Sequence, residues 1–148
     1  MPMPEPIVLR RSLVTPVARK PRVLIVDDSP TYRLWLEMML KHRYEVFTAE
    51  DGEAALRCGA SVQPDLILLD VVMPKLDGLS ACKALRERPE TRTTPIILVT
   101  SQNEEWDVEA GFTSGCTDYV MKPVDQLELL AKVESWLDVA VDQGSASA

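Results

Sequence analysis

A single histidine, His42, stands in the whole chain, so a histidine-based metal or catalytic centre has nothing to be built from. Cysteine is nearly as scarce. Cys58, Cys82 and Cys116 are odd in number and lack any metal-type spacing, and they read as small reduced residues of a core or surface. No apolar run approaches the ~20 residues of a membrane helix. The N-terminus carries Arg10, Arg11, Arg19 and Lys20 but no apolar segment long enough for a signal peptide. The expected location is therefore cytoplasmic, without membrane insertion. Helix-turn-helix, kinase and cyclase signatures are absent as well, so any output is expected through partners.

Basic charge is sparse beyond the first strand. Residues 1–22 hold five Lys and Arg against one acid, a net +4, while the rest of the chain holds eleven against twenty-two, a net −11. A body that acidic is a poor nucleic-acid binder by itself, and no direct nucleic-acid binding is expected. Residues 1–20 contain Pro2, Pro4, Pro6 and Pro16 and no hydrophobic period; they read as a flexible basic leader. Residues 21–141 then form one domain, large enough for a proper core. Residues 142–148 read as a polar tail.

What is present is organised around one stretch. Leu66-Ile67-Leu68-Leu69 runs straight into Asp70, and Pro74 and Gly78 end it. A continuous aliphatic run of this kind reads as a strand buried on both faces of a parallel sheet. Four more segments read as strands: Arg22–Val26, Tyr44–Ala49, Pro95–Thr100 and Asp118–Met121. Helices are expected between and after them. Ser29 and Pro30 suit the start of the first, where Tyr32, Trp35, Leu36, Met39 and Leu40 form one apolar stripe and Leu34 and Met38 fall off it. Glu53–Gly59, Leu79–Arg88 and Glu104–Ser114 follow, with Gly115 placed to end the last of these. Asp125 and Glu128 have capping-box spacing before the fifth helix, whose apolar face is Leu129, Leu130, Val133, Trp136 and Leu137. Five strands alternating with five helices predict an α/β fold, a parallel sheet covered on both faces with right-handed crossovers.

In a parallel sheet all the C-terminal strand ends share one edge. Asp27 and Asp28 stand there after the first strand and Asp70 after the third; Thr100 closes the fourth and Lys122 follows the fifth. Singly, each suits a solvated turn or a strand end. Together they set three carboxylates, a hydroxyl and one cation side by side. Clustered carboxylates repel, and a hard divalent cation such as Mg²⁺, which takes oxygen ligands, resolves the repulsion. A phosphoryl group drawn to such a site can be attacked by Asp70, held by Lys122 and given a hydrogen bond by Thr100.

These motifs resemble the receiver domain of bacterial two-component response regulators, and chemotaxis-type single-domain regulators in particular. The matching residues are Val-Leu-Ile-Val-Asp27-Asp28, Leu-Leu-Asp70-Val-Val-Met-Pro74 with Asp-Gly78, Val-Thr100-Ser, and Asp-Tyr119-Val-Met-Lys122-Pro123. The resemblance implies a flavodoxin-like, doubly wound, three-layer α/β/α fold with strand order 2-1-3-4-5. It implies Asp70 as phosphoacceptor, Asp28 as a direct Mg²⁺ ligand, Asp27 as one acting largely through water, and the backbone carbonyl of Val72 as another. Thr100 and Lys122 would contact the phosphoryl group, and Tyr119 would be the switch aromatic that turns inward when Thr100 moves. The Lys122–Pro123 bond would be cis. Val72 and Gln102, both non-acidic, bear on how long the phosphoryl group lasts. The implied phosphodonor is a sensor histidine kinase or phosphotransfer protein, and the implied output face is the fourth helix, fifth strand and fifth helix, acting on an unknown downstream protein. Trp106 and Val108 add apolar area to that fourth helix.

Three other readings compete. A phosphatase or phosphotransferase using an aspartyl phosphate wants a second acid two residues after the nucleophile, where Val72 stands. Beyond self-catalysed phosphotransfer and dephosphorylation no enzyme activity is therefore expected. A flavin mononucleotide carrier of the same fold needs a phosphate-binding loop after the first strand, where Asp27 and Asp28 would repel it. The third is a receiver portion of a larger regulator with a separate output domain.

Overall fold

The computed structural model describes residues 19–101 and 108–147. Its strands are β1 (Arg22–Val26), β2 (Glu45–Ala49), β3 (Leu66–Asp70), β4 (Ile96–Ser101) and β5 (Asp118–Lys122). Its helices are α1 (Pro30–Leu40), α2 (Gly52–Val62), α3 (Gly78–Arg86), α4 (Val108–Thr113) and α5 (Gln126–Ser147). The strands pair in parallel in the order β2-β1-β3-β4-β5, as expected for the flavodoxin-like arrangement.

Alternation along each strand sends successive side chains to opposite faces and so makes two cores. On one face Val23, Ile25, Leu68, Val99 and Val120 pack with Leu36 and Leu40 of α1 and Leu129, Val133 and Leu137 of α5. On the other, Leu24, Val26, Ile67, Leu69 and Leu98 pack with Ala55 of α2 and Ala81, Cys82 and Leu85 of α3. All five residues of β3 are buried, which is why its sequence shows a continuous apolar run instead of an alternating one.

Helix starts follow their capping residues. Ser29 accepts a hydrogen bond from the Tyr32 amide, Asp51 from Ala54 and Asp77 from Ser80. Asp125 accepts from the Glu128 amide at 3.1 Å. Three details differ from the sequence-based expectation. Helix α2 runs past Gly59 and closes at Gln63, whose φ of 53° is left-handed; an interior glycine costs a helix only ~1 kcal/mol and need not end it. Helix α5 continues to Ser147, through the residues that read as a polar tail. Once a docked helix is formed, each added residue needs no new nucleus, and no proline interrupts this one. Trp35, placed on the buried stripe of α1 by its spacing, is 39% exposed at the border of that stripe, while Leu34 and Met38 are exposed as expected.

The Lys122–Pro123 peptide is cis, and Gly115, at φ 104°, lies just beyond α4. Leader residues 1–18, Gln102 and Trp106 lie outside the described residues. Among the described residues no helix is long and apolar enough to cross a membrane.

Candidate functional site

The site forms where β1, β3 and β5 leave the sheet at their C-terminal ends. Asp27 follows β1 and is almost fully buried; its neighbour Asp28 is exposed; Asp70 ends β3 and is buried. One carboxylate oxygen from each lies within 4.8 Å of the others. The fold thus gathers acids that are 43 positions apart in the chain, counting from Asp27 to Asp70.

The local backbone holds these groups in place. Asp27 Oδ1 accepts the Ser29 amide at 2.9 Å, and the Asp27 carbonyl accepts Arg33 Nη1 at 2.7 Å. The loop after Asp70 folds back tightly on itself: the Gly78 amide donates to the Val71 carbonyl at 2.8 Å. A Cβ at Gly78 would stand 2.2 Å from the Asp70 carbonyl oxygen, so no side chain fits there. Further along the same loop, Lys75 pairs with the buried N-cap Asp51 at 3.5 Å.

Lys122 supplies the cation. Its Nζ lies 3.1 Å from Asp27 Oδ2 and 3.6 Å from Asp70 Oδ1. Burial works to lower the lysine, but Asp70 and Asp27 outweigh it and hold the ammonium above its usual range. Asp70 is pushed up to about 7, first by burial and then by the charges of Asp27 and Asp28; Lys122 and the Val72 amide pull it back only in part. One cation is therefore not enough for three acids. A donor set made only of oxygens, crowded and undercompensated, fits a hard divalent cation. Asp28, exposed and with no hydrogen bond or ion pair to another described residue, keeps its oxygens available. Both oxygens of Asp27 are already engaged by Ser29 and Lys122.

Thr100 is buried at the end of β4, one residue beyond Val99, the partner of Asp70 in the β3–β4 register. It pairs with Met121, next to Lys122. Tyr119 is not brought to the carboxylates. Its ring meets Phe112 of α4 edge-on at 6.3 Å and lies under Lys132 of α5, whose Nζ is 5.5 Å from the ring centre. The sequence reading missed Tyr32 as part of the site. Its ring centre is 4.3 Å from Lys122 Nζ. The signal was its position in the first turn of the helix that follows Asp27-Asp28, but its place on an apolar stripe hid it.

Fold and site together define an acidic, cation-binding, doubly wound α/β domain. Comparison with known proteins narrows this. Residues 23–134 match the response regulator receiver domain family. PilH of Pseudomonas aeruginosa is 41% identical over 117 residues, which are 78% of this chain and 97% of PilH. The response regulator PleD of Caulobacter vibrioides is 42% identical over 115 residues, 77% of this chain but only 25% of PleD. Among solved structures, the receiver domain of a Pseudomonas aeruginosa sensor histidine kinase, which has a magnesium ion coordinated in its active-site cleft, superposes with a TM-score of 0.75 at 32% identity. It covers 80% of this chain and 98% of that one. The chain belongs to the response regulator receiver family, the phosphoacceptor modules of two-component signalling. It spans nearly all of PilH and about a quarter of PleD.

Proposed function

We propose that Asp70 of this chain is phosphorylated in a Mg²⁺-dependent reaction by a sensor histidine kinase or phosphotransfer protein, and that the phosphorylated form is read by a protein partner. The observation that carries this reading is the cluster itself, three carboxylates within 4.8 Å of one another with Lys122 between two of them. Asp28 and Asp70, together with the Val72 carbonyl, would hold the cation directly, and Asp27 through water. When bound, Mg²⁺ neutralises the acids and makes a phosphoryl group welcome where it would otherwise be repelled.

An Asp70 oxygen forms the new bond to phosphorus. The phosphorus–nitrogen bond of a phosphohistidine, or the phosphorus–oxygen bond of acetyl phosphate, breaks, and the leaving group takes the electron pair. Lys122 pairs with one phosphoryl oxygen and the Thr100 hydroxyl donates to another. The output face is α4, β5 and α5, with Thr100 and Tyr119 as the switch pair. In support of that role, Thr100 and Tyr119 side chains lie on the same sheet face, two β4 residues apart through Leu98, the register partner of Tyr119. Chemistry beyond phosphotransfer and dephosphorylation at Asp70 is not part of the proposal, because Val72 offers no second acid. The proposed compartment is the cytoplasm, in keeping with three free cysteines.

Intact-mass spectrometry with acetyl phosphate tests the reading. With Mg²⁺ the mass rises by one phosphoryl group, about 80 Da; with chelator, or in Asp70→Asn, it does not. An undiminished signal in Asp70→Asn sinks the assignment.

A further inference from the structure

The carboxylates are not the only groups at the Lys122 ammonium. Tyr32 stands there as well, with its ring centre 4.3 Å from Nζ. That ring is fixed in three ways. The Tyr32 amide is tied to the Ser29 side chain at 3.2 Å, and Ser29 in turn donates its amide to Asp27. The Tyr32 hydroxyl accepts the Val124 amide at 3.2 Å, just after the Lys122–Pro123 peptide. The ring also meets Trp35 edge-on at 5.5 Å. So one aromatic side chain in the first turn of α1 touches the cation and pins the turn that carries it.

We infer that Tyr32 is a positioning residue for phosphotransfer, its ring holding the Lys122 ammonium against Asp27 and Asp70, where a phosphoryl oxygen must arrive. The inference rests on the proposed role of Lys122 at the phosphoryl group. The lysine is half-buried on a flexible four-carbon stem, and an ammonium is strongly hydrated. Nothing in two carboxylates prevents it from swinging outward to water. An aromatic face 4.3 Å away adds an attractive contact that holds it in place, and such contacts strengthen when they are partly desolvated. The ammonium is then already placed when phosphorus is attacked, which is where a fixed charge counts most. A second consequence follows from the hydroxyl. Because it binds Val124, the ring cannot leave the lysine without releasing the turn after β5.

Two substitutions separate the ring from the hydroxyl. Tyr32→Leu removes the aromatic face; Tyr32→Phe keeps it and loses the bond to Val124. The readout is the second-order rate of Asp70 phosphorylation by acetyl phosphate at saturating Mg²⁺, with Mg²⁺ affinity measured alongside. Tyr32→Leu is expected to slow phosphorylation about 3- to 10-fold, the factor a partly desolvated cation–π contact supplies, with Mg²⁺ affinity within about twofold. Tyr32→Phe is expected to restore most of the rate. A purely structural role is separated by repeating Tyr32→Leu in a Lys122→Ala background, where it should add no further loss. An unchanged rate in Tyr32→Leu overturns the inference. So does a Tyr32→Phe loss equal to that of Tyr32→Leu, or a full additional loss in the Lys122→Ala background. If the unsubstituted chain takes no phosphoryl group at Asp70 under these conditions, it is the parent reading that fails.

Discussion

Lys122 Nζ bridges two buried carboxylates, at 3.1 Å from Asp27 Oδ2 and 3.6 Å from Asp70 Oδ1, while Asp28 pairs with no cation among the described residues. Burial and repulsion still dominate at Asp70, whose carboxyl is pushed up to about 7. The metal-free domain therefore carries a strained acid, and its stability has a pH signature.

The sign follows from proton counting. Between about pH 4, where an unfolded aspartate ionises, and about 7, the folded chain keeps a proton that the unfolded chain has lost. Stability in chelator should thus be full below that window and fall as pH rises through it, by on the order of 2–4 kcal/mol in all. Asp70→Asn cannot titrate and should be the more stable protein at pH 8. Urea unfolding at pH 5 and pH 8 in chelator measures this; an equal pH slope in Asp70→Asn and the unsubstituted chain would refute it.

Metal affinity should separate the two neighbouring acids. Asp28→Ala is expected to weaken Mg²⁺ binding by about tenfold or more, and Asp27→Ala by less. Asp27 is already committed to Ser29 and Lys122, whereas Asp28 is not. Tryptophan fluorescence titration compares them, and equal or reversed affinities contradict the assigned roles.

Lys122→Ala should still accept phosphate, though more slowly, because Asp70 and the metal ligands remain. It should fail to transmit the change, because the cation joining the phosphoryl group to β5 is gone. Amide exchange with the beryllofluoride phosphate mimic is expected to shift Val108–Thr113 and Tyr119 in the unsubstituted chain, with a coupling of about 1–3 kcal/mol. In Lys122→Ala these residues should stay unchanged. A change confined to the Asp70 loop in the unsubstituted chain removes α4, β5 and α5 as the output face.

Arg86 makes a prediction about stability alone. Its guanidinium donates to the carbonyls of Gly115 (2.8 Å), Thr91 (3.0 Å), Arg92 (3.3 Å) and Thr94, and to Thr117 Oγ1 (3.2 Å). It ties α3 to the loops before β4 and before β5. Arg86→Ala removes this donor from the part-buried carbonyls of Gly115 and Thr94 and from the Thr117 hydroxyl, and should cost about 2–4 kcal/mol. Arg86→Lys keeps the charge but not the planar fork, and should recover little of the loss. Denaturant midpoints decide it; a loss under about 1 kcal/mol, within the range of ordinary surface substitutions, would mean the network is dispensable.

Much of this molecule is local in origin. The apolar runs Val23–Val26, Leu66–Leu69 and Ile96–Val99 define strands because a chain buried on both faces must be apolar at every position. Strict alternation with helices makes those strands parallel, and parallel strands put their C-terminal ends on one edge. That is why Asp27, Asp28, Asp70, Thr100 and Lys122 could be assigned to one site before any distance was known. What lies across the sheet could not be read in this way. Helical spacing puts Tyr32 and Trp35 on one stripe, yet one lies over Lys122 and the other is exposed, because spacing gives an angle around a helix and not the position of its neighbours. Arg86 looks like a surface charge at a helix end until the loops before β4 and β5 close over it. Local sequence is enough to set the layers and the edge where the chemistry sits. Which side chains meet Lys122, and how far the Asp70 carboxyl is pushed up, depend on contacts between residues some 40 to 95 positions apart, which only the closed fold brings together.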